Sequence, residues 1–152
     1  MYYSINVTNQ NLAENCSPLR EIIYARMSHI VMLKRNLVMI VDDEIDIIGL
    51  FSEILMLHGI SVRPFTNPKE ALDDFKQNHD DYRLVISDVR MSQMSGVEFV
   101  SQIREIDSDV NVILMTAFEI EGNNLSEIKT DEFFNKPIGM NDLVRIVKKY
   151  VK

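Results

Sequence analysis

The stretch Leu37-Val38-Met39-Ile40-Val41-Asp42-Asp43-Glu44 joins an unbroken apolar run to three consecutive acidic residues. An apolar run of this length, rich in Val and Ile, is typical of a strand that is buried on both faces of a parallel sheet. Comparable runs occupy residues 84–87 and 111–115, and weaker candidates occupy residues 61–65 and 132–135. The sequence therefore predicts five strands.

Segments with helical periodicity separate these runs. Apolar residues recur at spacings of three and four between residues 47 and 55, and Gly59 stands where this helix would end. Asn67-Pro68-Lys69-Glu70 indicates an N-cap, a proline at the first helical position and a capping glutamate. Apolar stripes predict further helical turns in three segments, at residues 71–75, 99–106 and 140–151.

Strands that alternate with helices predict right-handed βαβ connections and an open α/β sheet. Five strands and five helices would form a flavodoxin-like three-layer (βα)5 fold with a five-stranded parallel sheet. The expected strand order, 2-1-3-4-5, is that of known folds of this class and does not come from the sequence pattern. Residues 119–129 contain Gly122, Asn123 and Asn124, so we expect only a short or frayed fourth helix there.

The leader, residues 1–35, does not share this rhythm. Met32-Leu33-Lys34-Arg35 would be a natural start for a chain whose first strand follows at once. We therefore expect a domain at residues 36–152, preceded by a leader that is a disordered tail or a start-site artefact. The alternative is a helix that binds a membrane or a partner, because Ile23, Met27 and Ile30 would line one helical face.

Size and charge limit the possible functions. A chain of 152 residues with 46% hydrophobic content is long enough for one folded domain. The net charge of −7 argues against a nonspecific grip on nucleic acid, which requires a basic surface. Cys16 is the single cysteine, and no apolar run reaches membrane-spanning length. These features predict a cytoplasmic protein that binds neither nucleic acid nor a membrane.

Polar residues follow four of the predicted strands. Asp42 and Asp43 come after the first strand, Asp88 after the third, Thr116 after the fourth and Lys136 after the fifth. The carboxyl ends of parallel strands share one edge of the sheet, so these side chains are expected to converge. Three converging carboxylates require a cation to offset their repulsion, and oxygen ligands favour Mg²⁺ or Mn²⁺.

The hydroxyl of Thr116 and the ammonium of Lys136 add hydrogen-bond donors, which are useful when an anion arrives. A phosphoryl group on Asp88 would be that anion, formed by attack of a carboxylate nucleophile. Mg²⁺ would neutralise one phosphoryl oxygen, Thr116 would hydrogen-bond a second, and Lys136 would offset the charge on the third.

Each of these residues also has an ordinary structural interpretation. Asp43 would serve equally well as a helix cap and Asp88 as a turn residue. Thr116 is at home in any strand, and Lys136-Pro137 is compatible with a simple turn. The conjunction of all four features at successive strand ends favours a functional site.

At this point residues 36–152 resemble a response-regulator receiver domain. The resemblance rests on the acidic pair after residues 38–41, on residues 84–91 around Asp88, on residues 94–98 and 111–117, and on Phe133 through Lys136-Pro137. It implies Mg²⁺ bound by Asp42, Asp43, Asp88 and the backbone carbonyl of Arg90. It also implies phosphotransfer to Asp88 from a sensor histidine kinase or phosphotransfer protein, and an unknown downstream protein. A cis peptide bond before Pro137 is expected to aim Lys136 at the site.

Ser92 departs from the family, which commonly has proline at this position, and predicts a more mobile loop after Asp88. Because nothing follows the last predicted helix, the sequence suggests a stand-alone receiver. One alternative is an aspartyl-nucleophile phosphohydrolase, but such enzymes typically place a second Asp where Arg90 stands. Another is flavin binding, which needs a Ser-, Thr- and Gly-rich phosphate loop where Asp42, Asp43 and Glu44 stand.

Overall fold

The computed structural model describes residues 35–117 and 130–151, together with Ile22 and Arg26. The predicted fourth helix at 119–129 and almost all of the leader lie outside the described residues. Within them, the strands are β1 (Leu37–Val41), β2 (Ser61–Phe65), β3 (Tyr82–Asp88), β4 (Asn111–Thr116) and β5 (Glu132–Asn135). The helices are α1 (Ile45–Leu57), α2 (Pro68–Asn78), α3 (Gly96–Ile106) and α4 (Met140–Tyr150), with a short 3₁₀ turn at His79–Asp81.

The strands form one five-stranded sheet in the order β2-β1-β3-β4-β5, and every neighbouring pair is parallel. The predicted flavodoxin-like α/β fold and its strand order 2-1-3-4-5 are therefore confirmed. Strands β1, β3 and β4 are almost wholly buried, whereas β2 and β5 lie at the two edges and are more exposed. The strongest apolar runs in the sequence became the three central strands, because only a strand covered on both faces tolerates apolar residues at every position.

Helices cover both faces of the sheet. Successive residues of each central strand point to opposite faces, so Val38 and Ile40 belong to one hydrophobic cluster while Met39 and Val41 belong to the other. The first cluster includes the buried apolar residues of α1 and α4, and the second includes those of α2 and α3. The result is the expected three-layer arrangement, with the helices supporting the strand ends from both sides.

Local signals in the sequence account for the helix boundaries. Gly59 adopts φ +76° at the end of α1, a conformation that glycine enters without steric cost. The Asn67 side chain caps α2 by accepting a hydrogen bond from the amide of Lys69 at 2.9 Å. Ser95 and Glu98 form a reciprocal capping box that starts α3 directly behind the loop after β3.

Arg35, which lies two residues before β1, also contacts the rest of the domain. Arg35 forms ion pairs with Asp80 at 3.4 Å and with Asp107 at 3.0 Å. These contacts tie the start of β1 to the 3₁₀ turn and to the end of α3. Among the helices in the described ranges, none has the length and apolarity needed to cross a membrane.

Candidate phosphoacceptor site

The carboxyl ends of the strands bring together the residues that the sequence singled out. Asp42 follows the last residue of β1, Asp88 ends β3, Thr116 ends β4, and Lys136 follows the last residue of β5. The centre of this edge is shielded from solvent, because Asp42 is 0% exposed, Asp88 6% and Thr116 2%. Four residues that are distant in sequence therefore share a small buried region.

Lys136 occupies the middle of the site. Its Nζ lies 2.6 Å from Oδ2 of Asp42 and 2.9 Å from Oδ1 of Asp88, and its side chain is 10% exposed. A third carboxylate, from Glu44, lies 3.4 Å away at the more exposed side. One ammonium group is thus shared among three carboxylates, and the site retains a negative charge that a further cation would offset.

Burial and pairing act in opposite directions on these ionisable groups. Burial raises the pKa of Asp42 because it penalises the charged carboxylate, although hydrogen bonds from Lys136 and the Glu44 amide partly reverse this. Burial alone would lower the pKa of Lys136, but its hydrogen bonds to Asp42 and Asp88 outweigh that effect and hold its pKa above the usual value. Lys136 therefore remains positively charged at neutral pH, and its ammonium group contacts both buried carboxylates.

Backbone amides hold one oxygen of each of the three aspartates. The Glu44 amide donates to Oδ1 of Asp42 at 3.0 Å, and the Arg90 amide donates to Oδ2 of Asp88 at 2.7 Å. The Ser92 amide donates to Oδ2 of Asp43 at 2.9 Å. A proline at position 92 could not supply that hydrogen bond, because it has no amide hydrogen.

The alternative interpretations can now be compared with the contacts. Helix α1 has Glu44 at its N-cap position, with no side-chain cap hydrogen bond, so Asp43 does not cap this helix. Asp88 does make the turn-type hydrogen bond to the amide two residues on, and it contacts Lys136 in addition. The peptide bond between Lys136 and Pro137 is cis, as the resemblance implied.

Thr116 is the last residue of β4, and it is buried at the site. The Lys136 amide donates to the carbonyl oxygen of Thr116 at 2.6 Å, which fixes the start of the β5 exit loop against the end of β4. Phe133, in the neighbouring strand β5, is half-buried and packs against the cluster under α2 and α3.

The predicted ligands differ in how far they are assembled for a metal ion. In the part of the chain that the structure describes, no group of three Asp, Glu, His or Cys side chains is arranged as a metal site. Lys136 stands between Asp42 and Asp88, while Asp43 contacts the loop after β3. The chemistry of the donors nevertheless fits Mg²⁺, because carboxylate oxygens surround a site whose negative charge one lysine does not balance.

Two further residues position Asp88, and the sequence reasoning did not single them out. The Ser87 hydroxyl is fully buried and donates to the carbonyl oxygen of Asp88 at 2.9 Å. Gly96 lies so close that a Cβ atom there would stand 2.1 Å from the same oxygen. The Ser95–Glu98 spacing would have located the start of α3, but the contact with Asp88 depends on packing between elements.

Known proteins resemble this chain over the part that forms the sheet and its helices. The sequence profile of the family described as the response regulator receiver domain matches residues 38–148. Sporulation initiation phosphotransferase F of Bacillus subtilis is 31% identical over 116 residues, which cover 75% of this chain and 92% of that protein. The CpxR homolog of Haemophilus influenzae, a transcriptional regulatory protein, is also 31% identical, but the match spans only 48% of its length.

Solved structures share the fold. The response regulator protein TrrA of Thermotoga maritima, solved in complex with Mg²⁺-BeF, is 34% identical with a TM-score of 0.68, covering 76% of this chain and 98% of that chain. A CheY-like receiver domain protein of Methanospirillum hungatei has a TM-score of 0.71 over 77% of this chain and 94% of its own. At 21% identity, the second likeness bears on the fold alone.

Proposed function

The chain belongs to the response regulator receiver domain family, and on that premise we propose that it is a signalling switch that accepts a phosphoryl group on Asp88. The observation that carries this proposal is the position of Lys136, whose ammonium contacts both Asp42 and Asp88 in a buried site. An ammonium group in that position would stabilise an anion formed on Asp88, and structural lysines of this kind are uncommon so deep in a fold.

In the proposed reaction, a carboxylate oxygen of Asp88 attacks the phosphorus of a phosphohistidine. The new P–O bond forms as the P–N bond breaks, and the electron pair of that bond stays on the imidazole. Asp88 is suited to this attack because the Arg90 amide and Lys136 fix the orientation of its carboxylate. Lys136 would then neutralise one phosphoryl oxygen, and the Thr116 hydroxyl would donate to another.

We place Mg²⁺ beside Asp42, Asp43, Asp88 and the carbonyl of Arg90. When bound, it would offset the charge of the phosphoryl oxygens. The acidic donor set supports this assignment, and TrrA, a relative by sequence, is known in complex with Mg²⁺-BeF. The proposed phosphodonor is a sensor histidine kinase or a phosphotransfer protein, in line with the name of the Bacillus subtilis relative.

We further propose that the signal leaves by protein–protein contact or by onward phosphotransfer in the cytoplasm. The chain matches phosphotransferase F over most of that protein, whereas it spans about half of the CpxR homolog. A net charge of −7 supports a partner other than nucleic acid.

The proposal is tested by labelling the full chain with a small phosphodonor such as acetyl phosphate, with and without Mg²⁺. Wild type is expected to incorporate one phosphoryl group in a Mg²⁺-dependent reaction, and Asp88→Asn to incorporate none. Asp142→Asn, which changes an exposed carboxylate on α4, is the matched control and should label like wild type. Equal labelling of wild type and Asp88→Asn would exclude Asp88 as the acceptor, and steady turnover of phosphate esters would favour a phosphohydrolase.

A further inference from the structure

Among the described partners of Lys136, Glu44 is the one that is open to solvent. Its Oε1 lies 3.4 Å from the Lys136 Nζ, and its side chain is 63% exposed. The carboxylates of Asp42 and Asp88 lie closer to the same Nζ, at 2.6 and 2.9 Å, and both residues are buried. The Glu44 contact is therefore the longest of the three and the best solvated.

The number of hydrogen-bond donors on Lys136 makes Glu44 a competitor for any anion that forms on Asp88. An ammonium group has three N–H groups, and three carboxylate oxygens lie within 3.4 Å of the Nζ. A phosphoryl oxygen can accept a full hydrogen bond from this ammonium only when one of the three contacts is released. Asp42 is fully buried, so its release would leave an unpaired buried carboxylate, whereas water can solvate a released Glu44. Glu44 is the partner whose release costs least.

The backbone of Glu44 is held independently of its side chain. The Glu44 amide donates to Oδ1 of Asp42 at 3.0 Å, and its carbonyl oxygen accepts from the amides of Ile47 and Ile48 at 3.1 and 3.2 Å. The Glu44 side chain makes no cap hydrogen bond to α1. A substitution at position 44 can therefore change the contact with Lys136 and leave these backbone hydrogen bonds in place.

We propose that Glu44 is a positioning residue that holds the Lys136 ammonium in the unphosphorylated site and competes for it with the phosphoryl group that enters. The inference rests on the proposed function, because the competitor is the phosphoryl group transferred to Asp88. With acetyl phosphate as the donor, an Asp88 oxygen forms the new P–O bond while acetate leaves with the electron pair of the P–O bond that breaks. Displacing Glu44 from the ammonium adds to the barrier of this step, so Glu44 restrains labelling by small phosphodonors.

The test compares rates of labelling of the full chain by acetyl phosphate at saturating Mg²⁺. Exposed ion pairs contribute little, so we expect Glu44→Ala to be labelled about two- to fivefold faster than wild type. Asp46→Ala is the matched control, because it removes an exposed carboxylate from the first turn of α1. In the described ranges no ion pair joins Asp46 to Lys136, so this variant should be labelled at the wild-type rate. An unchanged rate in Glu44→Ala, or an equal acceleration in Asp46→Ala, would overturn the inference.

Glu44→Asp separates the contact with Lys136 from the net charge of the site. This variant keeps the negative charge on a shorter side chain, and aspartate at an N-cap position favours hydrogen bonds to the first amides of the helix. We therefore expect Glu44→Asp also to be labelled faster than wild type. A wild-type rate in Glu44→Asp, together with faster labelling of Glu44→Ala, would assign the effect to net charge and overturn the inference.

A spectroscopic measurement tests the contact without phosphodonor or Mg²⁺. The side-chain ammonium of Lys136 is followed by ¹⁵N NMR in the metal-free chain, where slow exchange of its hydrogens with water reports its hydrogen bonds. Glu44→Ala should speed this exchange about two- to fivefold, and Asp46→Ala should leave it unchanged. Equal exchange in wild type and Glu44→Ala would overturn the inference even where wild type is labelled normally. Failure of wild type to be labelled, with the exchange difference present, would instead overturn the proposed function, and with it the competition.

Discussion

At the scale of single residues, the site depends on the balance between one lysine and the carboxylates around it. Lys136 is the shared partner of Asp42 and Asp88, both of which are buried. Burying a carboxylate is costly unless an opposite charge and hydrogen bonds compensate it. Removing the ammonium group would therefore leave two buried carboxylates without an opposite charge, and both would reduce the stability of the fold.

Replacing Lys136 by methionine keeps much of the side-chain volume and removes the charge. We expect the metal-free protein to lose about 3 kcal/mol of stability at neutral pH, because two buried carboxylates are left without their partner. Urea unfolding followed by circular dichroism, in the presence of a chelator, measures the loss. Lys148→Met, at an exposed position on α4, is the control and should change stability little. Equal stabilities of the two variants would contradict the shared ion pair.

Gly96 is the second residue on which the geometry of Asp88 depends. A Cβ atom at this position would stand 2.1 Å from the Asp88 carbonyl oxygen and 2.9 Å from the Val89 Cα. We expect Gly96→Ala to destabilise the fold by about 1–3 kcal/mol through overpacking, and to slow phosphorylation by moving the Asp88 backbone. Thermal unfolding and phosphodonor labelling test the two effects.

Gly49 provides the matched control, since it lies in α1 with nothing within 4 Å of the position where a Cβ atom would be. Gly49→Ala is expected to raise stability by about 0.5–1 kcal/mol, because alanine favours a helix interior. If both substitutions stabilised the protein, the close approach of α3 to Asp88 would not be a constraint on position 96.

At the scale of elements, each edge strand is fastened to a helix by an ion pair. On β2, Arg63 pairs with Asp74 of α2 at 2.9 Å and lies over the ring of Tyr82, 5.7 Å from its centroid. On β5, Glu132 pairs with Lys149 of α4 at 2.6 Å and accepts a hydrogen bond from the Tyr150 hydroxyl at 2.9 Å. Edge strands have fewer apolar contacts than central ones, so such polar contacts have more influence on their position.

The Glu132 contacts predict a pH dependence. The hydrogen bond from Lys149, supported by that from Tyr150, lowers the pKa of Glu132 below its usual value of 4.5. A lowered carboxylate pKa stabilises the fold at pH above the unfolded value, and this stabilisation disappears as the pH falls through the folded value.

Wild type should therefore exceed Glu132→Gln in stability at pH 7, by less than about 1 kcal/mol because the pair is partly exposed. The two proteins should converge at pH 3. Urea unfolding at both pH values makes the comparison. A stability difference that persists unchanged at pH 3 would assign the effect of Glu132 to packing instead of charge.

At the scale of the whole molecule, folding and cation binding are linked through the acidic edge of the sheet. The folded chain brings the carboxylates of the loop after β1 close to the carboxylate of Asp88 at the end of β3, and the unfolded chain does not. A ligand that binds only the folded state stabilises it by mass action.

Mg²⁺ should therefore raise the unfolding temperature of wild type, by an amount equivalent to about 2.7 kcal/mol at one hundred times the dissociation constant. Asp88→Asn should lose most of this Mg²⁺-dependent gain, since one proposed ligand becomes a neutral amide. Asp73→Asn, which alters an exposed carboxylate of α2, should retain the gain. Thermal unfolding across a Mg²⁺ titration measures all three proteins, and a gain of equal size in Asp88→Asn would place the cation elsewhere.

The sequence by itself determined the elements and their order along the chain. The runs at Leu37–Val41 and Ser61–Phe65 predicted two strands to the residue, and Gly59 and Asn67 marked the helix ends between which the second strand lies. It also determined that acidic, hydroxyl and ammonium groups follow the strands. Because the carboxyl ends of parallel strands share one edge of the sheet, these groups were expected to converge. These features depend on neighbours in sequence, where periodicity and capping preferences act directly.

Only the tertiary structure decided how those groups meet. It placed Lys136 between Asp42 and Asp88, turned Asp43 toward the Ser92 amide, and brought Gly96 against the Asp88 carbonyl. Each of these contacts joins residues on different elements, and its distance depends on how helices and strands pack. No local pattern encodes such a distance, because it results from the side chains of two hydrophobic clusters filling the space on either side of the sheet.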